Sequence, residues 1–334
     1  MSADSSIRAE RSAIAAGAHS PGPSKTLLLL SFAAVYIVWG STYFAIRVGI
    51  ESFPPFLLAG FRHMTMGLLL FPFALAKTRR WPSLANWRTA GVSGFLLLFV
   101  GNGGVSWAEQ TVPSGIAALL VATVSLWLVI ADWLRPGGTR PVGRVVLGIL
   151  IGFAGMLLLV GPTSWGGGQR VNLTGAAVLV FASLAWACGS LYGKHGEMPS
   201  SPVMGVALQC LVGGATLLIA GLFTGEFNIL HLASVSWRSW LAIIYLIIFG
   251  SGIGFSAYIY VLHHSTPARV GTYAFVNPVV ALLLGWLFGG ETLALRTFLA
   301  AAIILTSVIL VITAPHPAAH SSAEPVAAPA PGEA

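Results

Sequence analysis

Apolar runs of roughly twenty residues alternate with short polar breaks along most of the chain. The pattern predicts spans near 27–48, 55–76, 88–108, 113–133, 142–161, 172–193, 202–224, 237–262, 267–289 and 293–313. The runs are continuous, whereas a strand of a membrane barrel would alternate apolar and polar over about ten residues. A helix of about twenty residues crosses the hydrocarbon core, and it satisfies its own backbone polar groups where no water can. The expected fold is therefore an all-α integral membrane protein with ten transmembrane helices. Residues 1–24 and 315–334 are rich in Ala, Ser, Pro or His and are expected to be disordered tails. The first apolar run is too long for a signal peptide and lacks an A-x-A cleavage site, so it reads as a retained helix.

Composition strengthens this picture. The chain has 334 residues, 56% of them apolar and only 8% charged, with a mean hydropathy of +0.84. Soluble domains carry roughly 25% charged residues. The net charge of +7 is spread over the breaks, with no basic run interleaved with aromatics, so no nucleic-acid partner is expected. Lys and Arg near the span ends divide twelve to four in favour of the side that holds the N-terminus. By the positive-inside rule both termini are expected in the cytoplasm. Cys188 and Cys210 lie inside apolar runs and read as small packing residues, with no disulfide framework and no metal site.

The two halves resemble each other. Ser114 to Leu126 aligns with Pro267 to Val279, an offset of 267 − 114 = 153, and Trp39-Gly40 matches Trp186-Ala187, an offset of 186 − 39 = 147. Identity is weak, but hydropathy and the tryptophan–small pair agree. Five spans per half, an odd number, insert the second half upside down relative to the first. Inverted repeats are a known construction of secondary transporters, with the solute site near the midplane between the halves.

Several segments carry a family resemblance. They are Trp39 to Arg47, Trp107 to Ala118, Gly189 to Gly193, Tyr273 to Ala281 and Gly289 to Leu293. Their order and spacing resemble the EamA type of the drug/metabolite transporter superfamily, most closely its YedA-type inner-membrane exporters. The resemblance covers about residues 27–313, with one repeat over 27–161 and a second over 172–313. It implies ten helices in a two-fold inverted arrangement, a central cavity, and export of metabolites or small drugs across the inner (plasma) membrane. The family usually has a proline where this chain has Ser125, the partner of Pro278. Span four is therefore expected to be less bent than span nine.

Polar groups inside a span are costly and default to function. Asn102, in a Gly-rich stretch of span three, and Asn277, before Pro278, are candidate solute contacts or interhelical ties. Trp39 and Trp186 are candidates to wall a cavity for an apolar or cationic solute. Tyr43, Tyr192, Tyr258 and Tyr273 are further candidate contacts, against the common role of aromatics as interfacial belts. Glu109 is the best-placed acid for proton coupling, since burial raises a carboxyl pKa. A solvated residue in the turn after span three is the plainer reading of it. Arg62 is expected near a helix end or paired with Glu51 or Glu109. Glu291 reads as a helix-start residue before the last span, and Asp132 as a partner of Arg135. His263 and His264 are read as interfacial. Gly148-x-x-x-Gly152, Gly250-x-x-x-Gly254 and Gly285-x-x-x-Gly289 permit close helix approach, chiefly internal, with a homodimer as a further option.

The function expected from these features is a secondary transporter of amino-acid-like or amphipathic solutes, working by alternating access. No cofactor is expected, and the partners are a small-molecule solute and the lipid bilayer. Nucleotide-binding motifs are absent from the sequence, so an ion or solute gradient must drive it. A passive facilitator is the alternative. A membrane-embedded enzyme is disfavoured because the acids and histidines fall at span ends without catalytic or ligand spacing.

Overall fold

A computed structural model describes residues 25–138, 140–160, 171–265, 270 and 273–314. Among these, all regular structure is helical. Seven helices are long and apolar enough to cross a membrane: α1 (Lys25–Gly49), α2 (Pro55–Thr78), α3 (Leu84–Ala108), α4 (Ser114–Leu134), α6 (Leu173–His195), α7 (Pro202–Phe223) and α8 (Trp237–His264). The other three apolar helices are shorter: α5 (Gly143–Val160), α9 (Tyr273–Gly289) and α10 (Leu295–Ile312). The expected tails, and Arg170 and Arg269 of the charge count, lie outside the described residues.

The polar breaks supply the helix starts. Ser83 and Asn86 form a reciprocal capping box at α3. Asn172, Ser201 and Ser236 accept from the amides of Gly175, Met204 and Ser239, so each satisfies an orphan donor at its helix start. Pro55 and Pro202 occupy first-turn positions, where a missing N–H is harmless.

Glycines fix the register between the halves. A Cβ at Gly60 would lie 2.8 Å from the Leu218 side chain, and one at Gly67 would lie 2.8 Å from the Leu211 backbone nitrogen. Gly214 and Gly221 of α7 face Met64 and Leu57 of α2 in the same way. Ascending positions on α2 thus meet descending positions on α7, so the two run antiparallel at backbone contact distance. The Gly148 and Gly152 pair faces Val311 and Ser307 of α10, and Gly155 faces Ile304, again antiparallel. Gly250 and Gly254 face Thr42 and Trp39 of α1, while Gly285 and Gly289 face Glu291 and Phe44. All three small-residue motifs are therefore used in packing within the chain. Without a hydrophobic drive between helices in lipid, such close approach is what holds them.

Two features depart from expectation. First, the interruption falls in α4 and not at the proline of α9. Helix α4 is interrupted at Ala122–Thr123, between the segments Ser114–Val121 and Val124–Leu134, whereas α9 continues through Pro278. The Thr123 hydroxyl donates to the Leu120 carbonyl at 2.6 Å and the Ser125 hydroxyl to the Ala122 carbonyl at 3.0 Å. Hydroxyls that bond back to carbonyls one turn earlier compete with the helix ladder and bend it, so the break arises without a proline. Second, three helices carry π-helical stretches: Val35–Trp39 in α1, Phe95–Gly103 in α3 and Leu246–Gly254 in α8. The last two are nine residues each and are offset by 246 − 95 = 151, close to the repeat offsets read from sequence.

Candidate functional site

The π-helical stretches converge on a cavity between the halves. Its wall includes Trp39, Thr42, Tyr43 and Ile46 of α1, Arg62 and His63 of α2, and Leu98, Gly101, Asn102 and Val105 of α3. The second half contributes Ala182, Ser183 and Trp186 of α6, Gly250 and Phe255 of α8, and Tyr273 of α9. Inserted π turns often mark functional sites, because they re-aim side chains relative to a regular helix.

Part of the wall is aromatic. The Trp39 ring meets Trp186 edge-on at 5.4 Å, Tyr258 at 4.9 Å and Tyr273 edge-on at 5.7 Å. The repeat-related tryptophans are thus in contact with each other instead of facing across an open space. Trp39 Nε1 donates to the Gly250 carbonyl in the π stretch of α8, at 3.4 Å. Tyr258 is fully buried behind the ring cluster, and Trp186 Nε1 donates to its hydroxyl at 3.2 Å.

Another part of the wall is polar and buried. Arg62 is 2% exposed, and it follows the α2 start by seven residues, about 10 Å at the helical rise. It is therefore not at a helix end, and among the described residues it is not in an ion pair. The guanidinium donates from NH2 to the Asn102 side-chain oxygen and from Nε to His63 Nε2 at 3.2 Å, while NH1 has no partner. Because His63 Nε2 accepts, the ring proton sits on Nδ1 and points to the Ser251 hydroxyl, 3.2 Å away in the π stretch of α8. Glu51, one of the two expected partners of Arg62, is exposed.

Glu109 follows α3 and is fully buried, with neither carboxylate oxygen partnered. The solvated-turn reading is therefore replaced by an enclosed one. Arg47 NH1 donates to the Glu109 backbone carbonyl at 2.6 Å and leaves the side chain alone. Burial pushes the Glu109 pKa well up, with Glu291 adding to the rise and Arg47 and Arg62 opposing it.

The remaining candidates are dispersed. Asn277 is buried where α9 crosses α1. Oriented with its nitrogen toward the surrounding acceptors, it donates to the Tyr36 and Val35 carbonyls at 3.0 and 3.3 Å. Both carbonyls belong to the π stretch of α1, and the Tyr36 carbonyl also accepts from the Gly40 amide. Tyr192 lies apart, in a surface hollow with Arg88 and Glu197. Glu291 does not start α10. Its carboxylate accepts from the Ser114 amide at 2.7 Å, the Ser114 hydroxyl at 2.6 Å and the Gly115 amide at 3.1 Å, which caps α4. Glu226 does the same for α2 through the Phe56 and Leu57 amides, at 3.2 and 2.9 Å. The Asp132–Arg135 pair forms at 3.0 Å. Among the described residues no group of His, Cys, Asp and Glu is arranged to hold a metal.

The EamA-like transporter family matches residues 26–161 and 173–313, once in each half. The chain belongs to that family. The "Uncharacterized inner membrane transporter YedA" of Escherichia coli (strain K12) is 44% identical over 279 residues, which is 83% of this chain and 88% of that protein. A "Probable amino-acid metabolite efflux pump" of the same organism is 26% identical over 284 residues, 83% of this chain and 91% of that protein. One solved crystal structure shares the fold, with a TM-score of 0.61 at 20% identity, covering 86% of this chain and 97% of that one. Family membership and the apolar helices together make this EamA protein a multi-pass membrane protein with a two-repeat helical fold.

Arg62 and His63 line the cavity although the sequence pattern did not mark them as cavity residues. The available signal was a charge seven residues inside a predicted span, which a helix tolerates only against protein or water.

Proposed function

We propose that this EamA protein is a secondary transporter that exports small metabolites or drugs across the inner (plasma) membrane by alternating access. In this reading all ten helices span the bilayer as two inverted sets of five, with both termini in the cytoplasm. The observation that carries it is the cavity itself: both halves build its wall, where an inverted-repeat transporter places its solute. Trp39, Tyr43, Trp186 and Tyr273 hold the solute's apolar body, and Asn102 with the Arg62–His63 pair its polar end. Tyr258 positions the tryptophans. The efflux pump among the relatives supports the outward direction.

Glu109 is the coupling group in this reading. A buried carboxyl without a partner is stable when protonated and costly when ionised. The charged groups around it, Arg47, Arg62 and Glu291, sit on different elements, so a movement of the helices changes the balance at Glu109. Proteoliposomes holding the full chain, loaded with a metabolite and drug panel, provide the test, run with and without a pH gradient. Flux of at least one solute, accelerated by the gradient, is expected. Glu109→Gln should remove the acceleration while leaving solute counterflow. Vesicles that move nothing would overturn transport, and gradient-independent flux would remove the coupling role of Glu109.

A further inference from the structure

Among the described residues, no carboxylate forms an ion pair with the charge in the cavity wall. Arg62 is 2% exposed, its NH1 has no hydrogen-bond partner, and it lines the cavity. The groups that it does bind, Asn102 and His63, are both neutral acceptors as bonded. The buried carboxyl of Glu109 makes no ion pair or hydrogen bond with it among the described residues. A desolvated guanidinium with free N–H groups is costly in this setting unless an anion meets it.

We propose that Arg62 is the anchor for a solute carboxylate, so that this transporter handles small monocarboxylates with an apolar body. The inference rests on the transport reading above. Three features choose the chemistry. A guanidinium fork matches a planar carboxylate, and NH1 keeps its donors free for one. Arg62 is the only cation in the described wall, so a single negative charge is balanced and a phosphate dianion is not. Much of the remaining wall is apolar or aromatic, with Leu98, Val105, Phe255 and the two tryptophans, which suits a hydrocarbon or ring beside the few neutral hydroxyls of Thr42, Tyr43, Ser183 and Tyr273.

Asn102 provides a sharp test, because Asn102→Asp changes one atom group and puts an internal carboxylate on the guanidinium. The full-length protein is titrated with 3-phenylpropionate, 3-phenylpropanamide, 3-phenylpropylamine and 2-phenylethylphosphonate, following tryptophan emission, and the same compounds are tested in counterflow. The carboxylate is expected to bind about tenfold or more tightly than the amide, as a charge-assisted contact gives. Asn102→Asp should erase that preference while the amide still binds. Arg62→Gln should do the same, and Arg62→Lys should keep part of it. If Arg62→Gln does not fold, Asn102→Asp decides alone. Equal binding of amide and carboxylate, tighter binding of the amine or phosphonate, or an intact preference in Asn102→Asp would overturn the anchor. Flux of the amide or amine with no carboxylate preference would leave transport standing and remove only this inference. Carboxylate binding that Asn102→Asp abolishes, without any flux, would keep the anchor and remove transport. Neither binding nor flux would remove both.

Discussion

The Tyr258 hydroxyl closes a ring of hydrogen bonds around Trp186. Trp186 Nε1 donates to Tyr258, Tyr258 donates to the Ser190 hydroxyl at 2.8 Å, and Ser190 donates to the Trp186 carbonyl at 2.7 Å. The direction follows because the Ser190 proton is already committed to that carbonyl. Tyr258→Phe would leave a half-buried indole N–H and a buried serine without their shared partner, at about 1–3 kcal/mol. A lower unfolding temperature in detergent and a shifted tryptophan emission are expected. Tyr260→Phe, whose ring stacks on the exposed His264 at 4.1 Å, should change neither. Unchanged melting of Tyr258→Phe would show that the ring of bonds does not hold Trp186. The tryptophans were legible in sequence because they recur at the repeat offset. Tyr258 was visible only as one tyrosine among several, since its hydroxyl partners come from another helix, and Tyr192 looked equal to it for the same reason. Arg62 was visible as a charge within a span. Its neighbours were not, because Asn102 lies forty residues away and Ser251 lies 188 from His63.

At the scale of elements, hydropathy alone placed the helices, because lipid forces each apolar run into one. Internal irregularities are a different matter. A proline announces itself, yet α9 passes through Pro278 while α4 breaks at Thr123 on hydroxyl back-bonds. The π stretches follow from tertiary demand: Phe95–Gly103 and Leu246–Gly254 bring Asn102 and Gly250 to the cavity, and no local propensity marks them. Glu291 shows the same limit, since its role as the α4 cap depends on a contact 177 residues away. The glycines of α2 and α7 are more predictable, and they yield a direct test. At Gly214 a Cβ would lie 2.6 Å from the Met64 backbone nitrogen, an atom that cannot step aside. Gly214→Val is expected to push α7 off α2 and to reduce the folded yield severely, by a cost in excess of the about 1–3 kcal/mol of ordinary overpacking. Gly143→Ala, at a position with nothing within 4 Å, is expected to leave yield and melting unchanged. Size-exclusion recovery after heating measures both, and a monodisperse, stable Gly214→Val protein would mean that the α2–α7 contact is not the constraint described.

At the scale of the whole molecule, the contacts run across the repeats. Helix α2 packs on α7 and α5 on α10, while Gly115 of α4 sits within 2.5 Å of the Leu282 side chain of α9 once a Cβ is added. Each helix of these pairs meets its own counterpart from the other half. The Trp39–Trp186 contact extends the same relation to α1 and α6. Neither half, taken alone, can satisfy the faces that these pairs bury. The first would leave the glycine stripe of α2 against lipid and α4 without the Glu291 carboxylate at its start. The second would leave Glu226 without the amides of α2. A chain cut between residues 161 and 170 should therefore behave as one cooperative unit in two pieces. Expressed separately, each piece is expected to aggregate or be degraded. Expressed together, they should co-purify and restore whatever solute movement the intact chain performs. Addition of Gly214→Val to the second piece should abolish co-purification, which ties the rescue to the α2–α7 seam and not to general stickiness of apolar helices. A first half that remains monodisperse alone would mean that the repeats are autonomous domains, and the cavity between them would then be a docking interface instead of a shared core.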